Sequence, residues 1–279
     1  RHFSIEKGID YSIRFAKESG CDVLQIFCQN PKGLSGPSKN TLNSIDKIKI
    51  ALNETNVIIV SHSPYCINLA KDPDEYPKMY ECLLKDLQFS DSIGSIGSVV
   101  HMGKYVKLTP EEGLSNMKKS ISKVLSNYSG KSLLLLETPC HQGTELCNTI
   151  EEIAELYNSF TEQEQNKIGF CIDTCHVFAA GYDFRSKETV REYFEKFNNL
   201  IGPNKIKLIH YNDSKTECNS HKDRHENIGE GYIGNVELGG RLDGLKEVIY
   251  YARDNLIPVT LETPITEEFE KEINFIKNF

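Results

Sequence analysis

Short apolar runs of about five residues, each closing on a histidine or a carboxylate, recur along the chain between longer amphipathic stretches. V-I-I-V-S-H ends at His62, G-S-V-V-H at His101, L-L-L-L-E at Glu137, K-L-I-H at His210 and P-V-T-L-E at Glu262, while G-F-C-I-D-T-C-H carries Asp173 and His176. A run of β-branched and aliphatic residues bounded by polar sequence marks a buried strand. Strands are predicted near 23–27, 56–62, 97–102, 132–137, 168–173, 205–211 and 257–262, and a remnant of an earlier one at His2-Phe3 completes a set of eight. Between them, segments such as 76–94 and 110–127 have helical spacing. The second opens Thr109-Pro110-Glu111-Glu112, a capping residue followed by a proline suited to the first turn. Repeated β-then-α units without a linker predict a single-domain (β/α)8 TIM barrel over residues 1–279, with its chemistry at the carboxyl ends of the strands. A doubly wound open sheet is the alternative, and it would concentrate its site at one switch point.

Composition narrows this little: 39% hydrophobic and 9% aromatic residues are ordinary for a globular chain with a sizeable core. No stretch approaches the roughly 18 apolar residues of a membrane helix, so no membrane association is expected. The start, Arg1-His2-Phe3, has no signal-peptide pattern, and the absence of an initial methionine implies a leading segment before it. Nine cysteines, scattered singly, fit a reducing intracellular compartment such as cytoplasm or nucleus. A net charge of −8 argues against a non-specific nucleic-acid coat. It does not exclude a local phosphate site, because three bound divalent cations would nearly neutralise that charge.

The residues that close the runs are ligand types. Imidazole and carboxylate gathered from separate strands suit zinc or manganese, which take neutral nitrogen and anionic oxygen. A single strand-terminal histidine is more often a hydrogen-bonded rim residue, but the set of His62, His101, Glu137, Asp173, His210 and Glu262 exceeds that explanation. Asp173 and His176 are three apart, so the aspartate is expected to finish the strand and the histidine to begin the loop. Asp223 and His225, two apart, point the same way in an extended loop. His221 reads as a solvated loop histidine, and Cys171 and Cys175 as small buried hydrophobes.

S-H-S-P-Y-C-I-N-L (61–69), C-I-D-T-C-H-V-F-A-A-G-Y-D (171–183), H-Y-N-D-S-K (210–215), D-R-H-E-N-I-G-E-G-Y-I-G (223–234) and L-E-T-P (261–264) resemble the signature segments of endonuclease IV, a family of zinc-dependent apurinic/apyrimidinic endonucleases. The resemblance runs nearly end to end. It implies a TIM barrel with three zinc ions that hydrolyses the phosphodiester 5′ to abasic sites in base excision repair, with 3′-end trimming as a further activity. One ion would be held by His62, His101 and Glu137. A second would share Glu137 and add Asp173, His210 and Glu262, and a third would take His176, Asp223 and His225. Manganese is an alternative at one position. Glu137, Asp173 and Glu262 would then stand at the reaction centre, where a water bridging two ions becomes a hydroxide near neutral pH. Asn212 or Asp213 is expected to orient ligands from behind.

The implied partner is double-stranded DNA carrying an abasic site, bound by a monomer. In the family, a loop after the second strand probes the base stack with asparagine, arginine and tryptophan. Here it reads N-P-K-G-L, so Asn30 is kept, Lys32 stands for the arginine and Leu34 for the tryptophan, and Tyr65 matches a residue near the abasic sugar. Lys104 and Arg224, with Lys39, Lys107, Arg185, Lys215 and Lys222, are candidates for a phosphate-contacting rim. Two rivals stand beside this reading. A TIM-barrel sugar isomerase or epimerase would need only Glu137, Asp173, His210 and Glu262, leaving the other histidines and Asp223 without work. A damaged-DNA-binding or metal-storage protein would need no catalysis.

Overall fold

In the computed structural model, which describes residues 1–266 and 269–279, the strands are β1 (Val23–Phe27), β2 (Ile58–His62), β3 (Gly97–His101), β4 (Leu133–Glu137), β5 (Ile168–Asp173), β6 (Ile206–His210), β7 (Asp213–Ser214), β8 (His225–Glu226) and β9 (Val259–Thr260). Seven of them form one sheet in the order β1-β2-β3-β4-β5-β6-β9, and β7 pairs with β8 in a separate antiparallel ribbon. The order never reverses, as a doubly wound sheet must, so the architecture is the (β/α) barrel type. β1–β2, β2–β3, β3–β4 and β6–β9 pair in parallel. The expected strand at His2-Phe3 is reduced to a bridge between His2 and Gln25, and the last strand is shorter than its apolar run.

Strand composition follows from burial on both faces. Leu134, Leu135 and Leu136 of β4 are buried, as is every residue of β5, which is why these segments read as continuous apolar runs rather than alternating ones. Helices begin where the sequence places caps. Thr109 and Glu112 form a reciprocal capping box at the start of Pro110–Ser126, with Thr109 N–H donating to Glu112 Oε2 at 2.8 Å. No helix of the described residues is long and apolar enough to cross a membrane.

The chain divides into two compact units, residues 1–137 with 158–170, and residues 138–157 with 171–279. The first contains β1 to β4 and the helices Ile9–Glu18, Ile45–Thr55, Pro77–Ser92 and Pro110–Ser126. The second contains β6 to β9 with Lys187–Ile201 and Leu242–Asp254, two helices tied by the bidentate Arg191–Glu247 pair and by stacking of Phe194 on Tyr251 at 3.8 Å.

One buried group opposes folding at neutral pH. Asp86, on helix Pro77–Ser92, is fully buried; its Oδ1 accepts from Cys28 Sγ (2.9 Å) and Gln29 Nε2 (2.6 Å), while Oδ2 has no hydrogen-bond partner. Burial raises its pKa from 3.8 to about 6. The folded state therefore binds more protons than the unfolded one between these values. Stability contributed by protonated Asp86 is full below about pH 4 and is lost as pH rises through about 6, a cost of about 3 kcal/mol. Asp86→Asn is expected to gain on the wild type in Tm progressively from pH 4.5 to pH 7.5. A Tm difference that does not change with pH across that range would contradict this.

Candidate metal centre

The strand-terminal position that the sequence singles out is occupied by a ligand-type residue in five consecutive strands. His62, His101, Glu137, Asp173 and His210 are the last residues of β2, β3, β4, β5 and β6. In the first unit, His101 pairs in register with Glu137. Glu137 Oε2 lies 3.3 Å from His62 Nε2 and 3.0 Å from His101 Nε2. His62 and Glu137 are buried, and His101 is half-buried. His62 Nδ1 faces the carbonyl of Ser63 at 2.7 Å, which commits that nitrogen to donating and turns Nε2, the atom with a lone pair to ligate, toward Glu137.

In the second unit two groups form. His176, Asp223 and His225 meet at one carboxylate oxygen: Asp223 Oδ1 is 3.3 Å from His176 Nε2 and 3.2 Å from His225 Nε2. Asp173, His210 and Glu262 form the other, with His210 Nδ1 at 3.2 Å from Glu262 Oε2 and 3.7 Å from Asp173 Oδ2. His176 does not begin a loop as expected; it sits in the short helix Thr174–Ala179, whose N-cap is Asp173. One Asp173 oxygen caps that helix through the His176 N–H (2.9 Å), and the other accepts from Asn212 Nδ2 (2.7 Å) while facing His210 and His225.

The residues behind these groups hold them in place. His176 Nδ1 faces Thr138 O at 2.9 Å and His225 Nδ1 faces Glu262 O at 3.4 Å, the arrangement that leaves each Nε2 to its carboxylate. Thr138 also accepts the Asp173 N–H on its hydroxyl at 3.0 Å. Asn212 links Asp173 to the Glu262 N–H, which its Oδ1 accepts at 2.9 Å. Of the two residues expected behind the ligands, Asn212 has this place. Asp213 instead accepts the N–H groups of Gly229, Ile233 and Gly234 and so ties down the 229–234 loop. The sequence does not single out Thr138, although the E-T-P that contains it repeats at 262–264.

The donor chemistry fits divalent zinc. Ligand atoms sharing one tetrahedral ion at bond lengths of about 2.0 to 2.2 Å are about 3.3 to 3.6 Å apart, close to the separations within the two histidine-carboxylate trios. The electrostatics agree. Burial alone would raise the pKa of Asp223, but the imidazoles of His176 and His225 outweigh it and hold the carboxyl well below the usual range. Burial likewise disfavours charge on His225, yet Asp173, Asp223 and Glu262 raise its pKa to about 9. A concentration of anionic oxygen that keeps an imidazole protonated so far above its ordinary value is a field suited to a cation. Cys175 neighbours Asp173 and His225, but burial pushes its thiol up to about 12, so it is neutral there. All nine cysteines are free, most of them buried.

Of the residues expected to touch DNA, Asn30, Lys32, Leu34, Tyr65 and Lys104, with Lys39 and Lys107, belong to the first unit, and Arg224, with Arg185, Lys215 and Lys222, to the second. Lys32 and Lys104 are exposed and Leu34 is half-buried. Asn30 Oδ1 accepts the Lys32 N–H at 3.0 Å, closing an Asx turn. Tyr65, 55% exposed, stacks near-parallel on His101 at 5.8 Å and meets Phe27 edge-on at 5.0 Å, forming an aromatic shelf beside the first trio. Arg224 is exposed next to Asp223. Arg185 is engaged by Asp183 through one guanidinium edge, Nε and Nη2 donating at 2.8 and 2.7 Å, so less of it is left for a phosphate rim. His221 is half-buried rather than solvated, with its ring 4.2 Å from that of His141.

Fold and ligand set together define a metal-binding protein of the xylose isomerase-like TIM barrel class, and the model of that family matches residues 13–279. A relative from Acanthamoeba polyphaga mimivirus, named as an endonuclease 4, is 34% identical and covers 100% of this chain and 90% of its own. Endonuclease IV from Thermus thermophilus superposes with a TM-score of 0.81 at 24% identity over 99% of this chain and 96% of that one. A D-tagatose 3-epimerase-like protein shares the fold at a TM-score of 0.68 and 21% identity, over 99% and 98% of the two chains. The chain belongs to the endonuclease IV family.

Proposed function

We propose that this protein is a zinc-dependent DNA repair endonuclease that hydrolyses the phosphodiester on the 5′ side of abasic sites in duplex DNA. The observation that carries the reading is the surplus of ligand groups. An isomerase on this fold has work for Glu137, Asp173, His210 and Glu262, but none for the His62–His101 pair meeting at Glu137 or for the His176–Asp223–His225 trio. Full-length relatives at 34% identity named as endonuclease 4 support the nuclease over the isomerase.

In this reading three ions bind, with Glu137 shared between the first and the second and the His176–Asp223–His225 trio holding the third; manganese can replace zinc at one position. When bound, the ions supply positive charge for the phosphate and lower the pKa of a water that attacks phosphorus. The chain's own residues set the stage. Ser63, Thr138 and the Glu262 carbonyl fix the ring nitrogens of His62, His176 and His225, and Asn212 fixes Asp173. Tyr65 offers its ring to the abasic sugar, while Asn30, Lys32 and Leu34 reach the stack and backbone, with Lys104 and Arg224 on phosphate. An apolar wedge such as Leu34 inserts most cheaply where a base is already missing. The working form is a monomer folded as one domain in a reducing intracellular compartment, and the same hydrolysis trims blocked 3′ ends.

A duplex with one abasic site decides the matter. Zinc-loaded protein is expected to cut it on the 5′ side; a chelator stops the cut and added zinc restores it. Strands left intact by zinc-loaded protein would favour the binding or storage reading instead.

A further inference from the structure

The loop that carries Asn30, Lys32 and Leu34 is fastened at both ends to one helix through a buried polar cluster. Gln29, at its start, is buried; its Nε2 donates to Asp86 Oδ1 at 2.6 Å and to Cys82 Sγ at 3.0 Å, while its Oε1 accepts the N–H of Gly36 at 2.8 Å. Cys28, one residue earlier, donates its thiol to the same Asp86 oxygen at 2.9 Å. Asp86 and Cys82 both belong to helix Pro77–Ser92. Gly36 has φ +76°, and a Cβ there would lie 2.9 Å from the Lys85 side chain of that helix, so the loop returns to the helix that holds its start.

Between these ends the loop is also tied sideways. Pro31 O accepts the Tyr65 N–H at 3.0 Å, and Gly33 O accepts the Cys66 thiol at 3.3 Å. Residues 29–36 thus form a closed loop whose tip is set by main-chain bonds and whose base hangs on one amide side chain. Burying a carboxylate whose second oxygen has no partner is costly, and an apolar residue would fill the same space without that cost. What the carboxylate provides is an acceptor able to take the Cys28 and Gln29 donors at once.

We propose that Asp86 is a positioning residue for substrate recognition: by orienting Gln29, it holds the 29–36 loop in the shape that presents Asn30, Lys32 and Leu34 to the damaged strand. The inference rests on the nuclease reading for its substrate, but not for the clamp itself. Cys28 is a neutral donor in this cluster, since burial and then the Asp86 charge push its thiol well above its ordinary pKa.

Asp86→Ala is expected to raise KM for the abasic duplex about tenfold with kcat within about twofold, because the loop is loosened while the metal ligands are untouched. Hydrogen exchange at the Gly36 amide should accelerate at least tenfold, with zinc content unchanged. Asp86→Asn, which keeps the acceptor, should restore both. Gln29→Met removes the same bonds from the loop side and gives the same result if the alanine variant folds poorly. Gly36 exchange unchanged in folded Asp86→Ala or Gln29→Met overturns the clamp. Faster exchange with KM unmoved overturns its role in recognition, as does kcat falling in step with the zinc content. If the wild type leaves abasic DNA intact, the nuclease reading fails, while Gly36 exchange still decides the clamp.

Discussion

Glu137→Gln is expected to lower incision of an abasic duplex by about 10³-fold or more while the chain remains folded. Both His62 Nε2 and His101 Nε2 converge on one Glu137 oxygen, at 3.3 and 3.0 Å, and the side chain is buried, so no water can take the place of the lost anionic oxygen. Glutamine has the same volume, which spares the core, but it is neutral and turns an amide donor toward groups arranged for an acceptor. The loss should appear as a lower zinc content together with a fall in kcat, and circular dichroism and Tm should report a folded protein. Cleavage near the wild-type rate by that purified variant would remove Glu137 from the reaction centre. Retained zinc with lost cleavage would place its role in the chemistry rather than in holding the ion.

The barrel and most of the residues gathered in its candidate site are legible in the sequence because both leave a one-dimensional trace. A strand buried on both faces must be an uninterrupted apolar run, and the residue that breaks the run at its carboxyl end is the one presented at the top of the barrel. L-L-L-L-E therefore announces both β4 and Glu137. The trace fails where polar groups are satisfied through space. His176 reads as a loop residue, yet its helix starts because Asp173, three residues back, caps it. The same carboxylate thus serves helix and site, and spacing alone cannot reveal that. Thr138 escapes notice because its contributions are a carbonyl and a hydroxyl aimed at residues 35 and 38 positions away. Asp86 is invisible for a similar reason. In an amphipathic helix a single aspartate reads as a solvent-facing residue, and only its bonds to Cys28 and Gln29, more than 50 residues distant, show that it faces inward.

Asp223 gives the second large effect and the sharpest division between nuclease and isomerase. Taken alone in sequence, it resembles any loop aspartate capping a turn. In the fold one of its oxygens lies between the Nε2 atoms of His176 and His225, at 3.3 and 3.2 Å, and its side chain is 42% exposed. It is therefore open to solvent in a way that Asp173, fully buried and bonded to Asn212, is not. Asp223→Asn keeps the shape and removes the charge that holds the two imidazoles together. It is expected to cost about one zinc per chain and to lower incision by about 10²- to 10³-fold, chiefly in kcat. The His62–His101–Glu137 group shares no residue with this trio, so its ion should stay. Metal analysis after dialysis and single-turnover cleavage measure the two effects separately. An isomerase has no use for Asp223, so unchanged metal content in the variant, with no incision by the wild type, would return the chain to the smaller metal site and to sugar chemistry, whereas an unchanged incision rate would remove Asp223 from the reaction centre.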